Sequence, residues 1–214
     1  MTTLLPVIAI AGALAIGAMS PGPSFLVVVR AAVALSRRDG IAAALGMGIG
    51  GVGFAGLALL GLTALLAQVE WLYLGLKVLG GLYLIYLATR LWRGAREPIQ
   101  ALAGAGQGRA QPYGTSGRSF LLGLSTQLSN PKTAIYYASV FAALLPASAG
   151  MDTAIILLPA VFLIEAGWYT IVALVFSSER PRQVYLRWKS RIDRMAGAVL
   201  ALLGIRLIVG AARI

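Results

Sequence analysis

The 214-residue chain is divided into six long apolar stretches, and short segments between them hold most of its charges. Hydrophobic residues make up 59% of the chain and charged residues only 12%, whereas an average soluble domain carries about 25% charged residues. Crossing a bilayer takes roughly 17–25 mostly apolar residues. Six stretches have this length: 4–29, 41–67, 71–92, 119–145, 153–176 and 195–212. The sequence therefore predicts an integral membrane protein and excludes a soluble domain.

Helices are the expected structure of these stretches, because a backbone amide in lipid needs a partner within its own segment. Barrel strands would be segments of about 10 residues with alternating polarity, and the sequence contains no such pattern. We expect an all-α membrane protein with six transmembrane helices in one domain, residues 1–214. The first stretch lacks a basic flank and exceeds a signal peptide's apolar region, so we expect it to be retained.

Arginine and lysine are concentrated in three of the five predicted loops, which hold fourteen of the 18 basic residues. The other two loops contain none. Loops rich in basic residues remain in the cytoplasm, so both termini are expected on the opposite side. These loop residues also account for the net charge of +11, because basic residues at these positions orient the chain in the membrane and contact the lipid bilayer. We expect no nucleic-acid partner.

The chain has no cysteine and no histidine, which excludes disulfides, thiolate metal sites and imidazole chemistry. We expect neither a metal nor another cofactor. A G-x-G-x-x-G pattern at 48–53 lies inside an apolar stretch with no preceding strand, so it does not indicate a nucleotide site. Small residues such as Gly46 and Gly50, with a neighbouring stripe through Gly53 and Gly61, favour close helix packing. They can pack within one chain or between two copies, which leaves a homodimer open.

Prolines interrupt corresponding apolar stretches in the two halves of the chain. A glycine-rich segment, 94–117, is expected to be a flexible linker, with three apolar stretches before it and three after. Halves with an odd number of spans enter the membrane from opposite sides, as in inverted-repeat transporters. The first stretch contains Ser-Pro-Gly-Pro at 20–23, and the fourth contains Ser-Asn-Pro-Lys at 129–132. We predict a 3+3 inverted repeat whose first and fourth helices are broken.

A broken helix provides a place to bind an anion inside the membrane. Proline ends one helix and can begin the next, and a buried helix N-terminus presents free N–H groups to a carboxylate. A simple proline kink needs no ligand, but two matched breaks favour a functional role. The candidate substrate-binding residues at the breaks are Pro21, Gly22, Pro23, Asn130, Pro131 and Lys132.

Four charged residues lie inside the stretches and away from their ends: Lys77, Lys132, Glu165 and Arg206. A charge at the bilayer centre costs at least roughly 2.5–3.5 kcal/mol, so such residues face the protein interior. Lys132 and Glu165 fall near the midplane, while Lys77 and Arg206 are expected near the outer face in structural or gating roles. Either Lys132 and Glu165 form a structural ion pair, or they bind the carboxylate and the ammonium group of a zwitterion. In the second case Glu165 is also the candidate proton carrier.

Two other functions are disfavoured by the residues present. A cation exporter needs several acidic, histidine or cysteine ligands within its spans, and only Glu165 lies deep in a span. A hydrolase without histidine or cysteine needs a Ser–Lys pair, such as Ser129 and Lys132. No oxyanion loop accompanies that pair in the sequence. We expect a transporter and not an enzyme.

These motifs resemble the LysE/RhtB family of bacterial amino-acid exporters. The similarity covers the Pro-Gly-Pro motif, a glycine-rich second stretch after a basic loop, and the Asn-Pro-Lys motif. The third stretch, starting at Lys77, is similar to the family pattern K-x-x-G-x-x-Y-L-x-Y-L, with Ala88 where many members have glycine. The resemblance extends over the whole chain.

The resemblance implies an exporter of amino acids or close derivatives in the bacterial cytoplasmic membrane, driven by the proton gradient. It also implies that Lys77, Gly80 and Tyr83, together with the residues at both breaks, are functionally important, because they match the family motifs. It does not choose a substrate, because members differ in the amino acid they export. Together with the residues, it favours alternating access around a site at the midplane, with the two halves rocking about it.

Overall fold

The computed structural model describes residues 4–68, 70–97, 116–146 and 149–211. All regular structure in this part of the chain is helical. Most of the predicted linker, residues 98–115, lies outside the described residues. The α-helices are α1 (Leu4–Met19), α2 (Pro23–Arg30), α3 (Arg37–Gln68), α4 (Glu70–Gly94), α5 (Ser116–Ser129), α6 (Pro131–Leu144), α7 (Met151–Phe176) and α8 (Glu179–Ala211).

Three of these helices, α3, α7 and α8, are long and apolar enough to cross a bilayer. The bent pair of α1 and α2 counts as a fourth if it is one span. The prediction of an all-α membrane protein is therefore confirmed in the described part of the chain.

Both proline motifs interrupt a helix. The first helix ends at Met19, the next begins at Pro23, and the two segments are bent by 61°. The second interruption is the single residue Asn130, whose extended backbone separates α5 from α6. Proline 131 is the first residue of α6, and the Asn130 side chain accepts a hydrogen bond from the Lys132 backbone N–H. This is an N-cap followed by proline at the first helical position.

A π-helical turn, Ala31–Leu35, follows α2, and the extended residue Ser36 separates it from α3. The Ser36 hydroxyl accepts a hydrogen bond from the Asp39 backbone N–H and so caps α3. The buried Asp39 carboxylate also accepts a 2.8 Å hydrogen bond from the Ser119 hydroxyl near the start of α5. These contacts fix the beginning of α3 against the beginning of α5.

The glycine-rich helix α3 packs between α5 and α7, as the small residues predict. A Cβ on Gly46 or Gly50 would overlap α5, and a Cβ on Gly48 or Gly51 would overlap side chains of α6 and α7. The prediction of close packing is confirmed for Gly46 and Gly50. Within the described part of the chain it does not hold for Gly61, where an added Cβ would meet no atom within 4 Å.

Helix α8 is longer than its predicted span, because the basic segment at 183–194 is helical and not a loop. Its Lys189 forms a 2.8 Å ion pair with Asp193 and donates to the carbonyls of Gly94 and Ala95 at the end of α4. In return, the Trp92 indole N–H donates to a carbonyl of α8 at 2.9 Å. Contacts with α4 thus give this basic segment a folded surface to pack on.

The apolar residues form two clusters at different levels of the molecule. One contains Leu14, Tyr137 and Val161 with parts of α4 and α8, and the other contains Phe25 and Phe176 with parts of α2, α3 and α7. Along α7, Val161 lies in the first cluster and Tyr169 in the second, with Glu165 between them. The polar residues at the two breaks lie in the same intermediate layer.

Candidate functional site

A small cavity lies where the two breaks meet α7. Its volume is about 20 Å³, which is room for about one water molecule. Four predicted site residues, Gly22, Asn130, Lys132 and Glu165, line it. The remaining lining residues are Gly17, Ala18, Ser20, Ser24, Gln127, Thr133, Tyr136, Tyr137 and Tyr169. The predicted prolines do not line the cavity; Pro23 and Pro131 instead begin α2 and α6.

Lys132 reaches from the first turn of α6 to the end of α1. Its Nζ donates hydrogen bonds to the Ser20 carbonyl at 2.9 Å and to the Ser20 hydroxyl at 2.7 Å. Gly22 leaves room for this side chain, because a Cβ there would lie 3.3 Å from both Cδ and Nζ of Lys132. The lysine therefore joins the two breaks in this conformation.

Glu165 is the buried acidic residue of the cavity, with 3% of its surface exposed. Its Oε1 accepts a 2.8 Å hydrogen bond from the Tyr137 hydroxyl, and its Oε2 accepts a 3.2 Å hydrogen bond from the Gln127 amide. The neighbouring residue of α3 is Gly51, where a Cβ would lie 2.9 Å from the Glu165 Cγ. Only a residue without a side chain fits beside this carboxylate.

Lys132 and Glu165 do not form a direct ion pair, although both are among the described residues. Lys132 is bonded to Ser20 and Glu165 to Tyr137 and Gln127, while the opposite charges attract each other across the cavity. Of the two interpretations that the sequence left open, the direct structural ion pair is not the arrangement found here.

A chain of hydrogen bonds connects Glu165 to the second break. The Ser24 hydroxyl donates to Gln127 Oε1 at 2.6 Å and accepts from Asn130 Nδ2 at 3.0 Å. The Gln127 amide then donates to Glu165. All members are at most 5% exposed, so these bonds are shielded from bulk water and strengthened by the low local dielectric. The chain joins α2, α5 and α7 through side chains alone.

Aromatic hydroxyl groups form the remaining wall. The Tyr136 hydroxyl donates to the Ala13 carbonyl, and the ring lies directly over Gly17. Tyr169 lines the cavity one turn after Glu165. The wall is therefore apolar over the ring faces and polar at the hydroxyl tips, which suits a small ligand with both characters.

Lys77 and Arg206 lie apart from this site, in a second, more open cavity of about 290 Å³ between α4, α6 and α8. The other residues predicted with them are Gly80, which packs closely on Ser139 of α6, and Tyr83, whose ring centroid lies 6.0 Å from that of Tyr86. The structure does not bring these four residues to the central cavity.

The Ser129 and Lys132 side chains do not form the pair that a hydrolase would need. The Ser129 hydroxyl donates to the Ser125 carbonyl of its own helix at 2.7 Å, and the Lys132 ammonium group binds Ser20. A nucleophilic serine must instead be hydrogen-bonded to its base.

The cavity residues that were not predicted from the sequence include Ser24, Gln127, Tyr137 and Tyr169. Gln127 carried a usable signal, because an uncharged amide in an apolar stretch is costly unless it is hydrogen-bonded. The three hydroxyl residues carried none, because serine and tyrosine are ordinary in membrane helices.

Comparison with known proteins identifies the chain. The LysE type translocator family matches residues 15–211. Threonine efflux proteins of Salmonella typhi and of Escherichia coli strain K12 are each 38% identical, over 89% of this chain and 91% of theirs. A leucine efflux protein of an Enterobacter species is 29% identical, over 86% of this chain and 83% of its own. No solved structure matches significantly. With these relatives, the apolar helices and the paired breaks, the chain is a membrane transporter and not an enzyme, and it belongs to the LysE type translocator family.

Proposed function

We propose that this chain exports threonine, or a neutral amino acid of similar size and polarity, across the bacterial cytoplasmic membrane in exchange for protons. The observation that carries the proposal is one buried cavity with a lysine on one side and a carboxylate on the other, at the meeting point of two broken helices. The relatives named for threonine and leucine efflux support an amino acid as the substrate. The hydroxyl and amide groups of the wall favour threonine over leucine.

The proposed binding mode follows the charges of the cavity. Lys132 and the N-terminus of α6 bind the substrate carboxylate, because they combine a full charge with free N–H groups. Glu165 binds the ammonium group, and Thr133 and Tyr169 face the substrate side chain. When the substrate has left, Glu165 takes up a proton and returns it across the membrane.

Substrate binding requires the cavity to enlarge, because about 20 Å³ accommodates about one water molecule. The bonds from Lys132 to Ser20 close the cavity across the first break. The conformation described here is therefore assigned to the occluded, empty carrier. Exchange of those bonds for a substrate carboxylate would open it towards one side of the membrane.

The proposal includes the membrane arrangement expected from the sequence. The chain is one domain, residues 1–214, with six spans in a 3+3 inverted repeat, both termini outside and 94–117 linking the halves. The basic loops and the bent α1–α2 pair support it. Lys77, Gly80, Tyr83 and Arg206 support the helix assembly or a gate away from the substrate. A homodimer is compatible with the exposed apolar surface, which lipid also covers.

Efflux from cells that overproduce the chain tests the proposal. Cells are loaded with amino acids as peptides, and internal and external concentrations are followed with and without an uncoupler. We expect uncoupler-sensitive release of threonine and similar amino acids. Release that is unchanged by overproduction, across neutral, basic and hydroxyl amino acids, would contradict the proposed substrate class.

Two substitutions connect this assay to the cavity. Lys132→Ala is expected to abolish efflux while the protein stays in the membrane, with Lys132→Arg as the variant that retains the charge. Glu165→Gln is expected to remove proton-coupled efflux, while exchange of labelled for unlabelled substrate persists. Its matched control is Asp152→Asn, since Asp152 is an exposed acid at the start of the same helix. Coupled efflux by Glu165→Gln would exclude this residue as the proton carrier.

A further inference from the structure

The direction of the buried hydrogen-bond chain between Asn130 and Glu165 is fixed at both ends. An ionised carboxylate only accepts, so the Gln127 NH₂ group must face Glu165 and its Oε1 must face Ser24. At the other end, the Lys132 backbone N–H only donates, so Asn130 Oδ1 must face α6 and its Nδ2 must face Ser24. Ser24 satisfies both neighbours by accepting from Asn130 and donating to Gln127.

This arrangement is complete only while Glu165 is ionised and otherwise unoccupied. A protonated Glu165 carries one donor of its own, and that donor faces either the Gln127 NH₂ group or the Tyr137 hydroxyl. A proton on Oε2 faces the Gln127 NH₂ group, and a substrate ammonium group at Oε2 competes with Gln127 for the same oxygen. In either case Gln127 loses the unshared acceptor that orients it, and Gln127 in turn orients Ser24.

The chain ends at the break between α5 and α6. Ser24 lies in the first turn of α2, the helix that follows the first break. Asn130 is itself the second break, so the hydrogen bond between Asn130 and Ser24 holds the second break against α2. When the hydrogen bond between Asn130 and Ser24 is lost, nothing in this chain of hydrogen bonds holds the Asn130 side chain to α2. The state of Glu165 is thus transmitted to the interruption between α5 and α6.

We propose that Gln127 is the coupling residue of this carrier: through Ser24 it locks the break at Asn130 while Glu165 is empty and ionised, and releases the break when Glu165 holds either a proton or a substrate ammonium group. This inference rests on the proposed proton-coupled export. Exchange of substrate for protons requires that the loaded carrier changes conformation and that the empty one does not. Gln127 is a positioning residue in this scheme, because it acts through Glu165 and Ser24.

Other titratable groups face Glu165 from the surrounding helices. Lys132, Tyr136 and Tyr137 approach from α6 and Tyr169 from α7 itself, while α3 contributes Gly51. Of these, Tyr137 shares a hydrogen bond with the carboxylate and offers an alternative route for reorientation. Tyr169 also has a side-chain hydrogen bond with Ser24, in the middle of the chain.

Reconstituted vesicles test the proposal through the number of protons moved per substrate. Vesicles are loaded with labelled threonine and a trapped pH indicator, and both fluxes are recorded together. We expect wild type and Ser125→Ala, which changes an exposed serine of α5, to keep a fixed ratio. Ser24→Ala and Gln127→Met should release substrate with a ratio that falls towards zero, and Ser24→Thr, which retains the hydroxyl, should restore it. An unchanged ratio in Ser24→Ala and Gln127→Met, or an equal loss in Ser125→Ala, would overturn the role of Gln127.

A second measurement needs no substrate, so it separates this inference from the proposed function. The chain has no cysteine, and Thr133→Cys therefore places a single thiol in the cavity wall. The rate of its reaction with a water-soluble maleimide is measured at about pH 6 and at about pH 8. Each rate is divided by the rate for the unfolded protein at the same pH, because the reactivity of the thiol itself changes with pH. Relative labelling should rise on acidification, and Ser24→Ala should label fast at both values. Slow, pH-independent labelling in both proteins would refute the lock, even if wild type exports threonine.

Discussion

Replacement of Gly51 by alanine tests whether the cavity wall is as tightly packed as the structure indicates. A Cβ at this position would lie 2.9 Å from the Glu165 Cγ and 2.9 Å from the Tyr137 hydroxyl oxygen. Neither atom is the end of a free side chain, because the two residues are hydrogen-bonded to each other at 2.8 Å. The added methyl group must therefore displace one of them and strain or break that bond.

The expected cost follows from three contributions. Overpacking a core costs about 1–3 kcal/mol, and a hydrogen bond to a charged group contributes about 1.5–3 kcal/mol. Alanine recovers about 0.5–1 kcal/mol relative to glycine inside a helix. The free energy of unfolding should fall by roughly 2–5 kcal/mol, which corresponds to a decrease in Tm of about 4–20 °C for a chain of this size.

Thermal unfolding of the purified protein in detergent, followed by tryptophan fluorescence, measures this decrease. The matched control is Gly56→Ala, because Gly56 lies on the same helix with no atom within 4 Å of its Cβ position. That control should be as stable as wild type or slightly more stable. Equal unfolding temperatures for the two variants, with normal transport by Gly51→Ala, would refute the described packing between α3, α6 and α7.

Two further substitutions test the helix ends. Asn130→Ala should lower the free energy of unfolding by about 1–2 kcal/mol through loss of the N-cap, whereas Asn130→Ser should keep most of it because serine also caps α6; similar unfolding temperatures for the two variants would contradict the cap. Ser119→Ala should cost about 1.5–3 kcal/mol because the buried Asp39 carboxylate loses a donor. Ser125→Ala on the same helix is its control, since Ser125 is exposed and bonds only within α5; equal stability of the two serine variants would show that the bond to Asp39 adds nothing.

The features that the sequence predicted correctly depend on local chemistry. Proline cannot continue a helix, so the interruptions at Pro21 and Pro131 follow from the residues themselves. Lys132 and Glu165 stand out because a charge in an apolar stretch must face the protein interior. The structure accordingly places both residues on one cavity.

The features that were not predicted depend on contacts between distant segments. Ser24 and Gln127 are 103 residues apart in the chain, and no spacing rule pairs two neutral side chains over that separation. The basic segment at 183–194 packs on the end of α4 through the hydrogen bond from Lys189 to the Gly94 carbonyl, a contact between distant segments that the local sequence cannot indicate. The separation of Lys77 and Arg206 from the central cavity likewise depends on how α4 and α8 pack together.

The packing of the helices has a consequence for how such a carrier can move. Helix α3 packs mainly on α5 and α7, with smaller contacts to α2 and α6, whereas α4 packs mainly on α8 and α6. Each group contains helices from both halves of the sequence, so the two halves are interleaved in the structure. The chain crosses from one group to the other at Asn130, and it enters the first group after Pro21. We therefore expect any bending of the molecule to occur at the two breaks, which are also the places where Lys132 and Ser20 close the cavity.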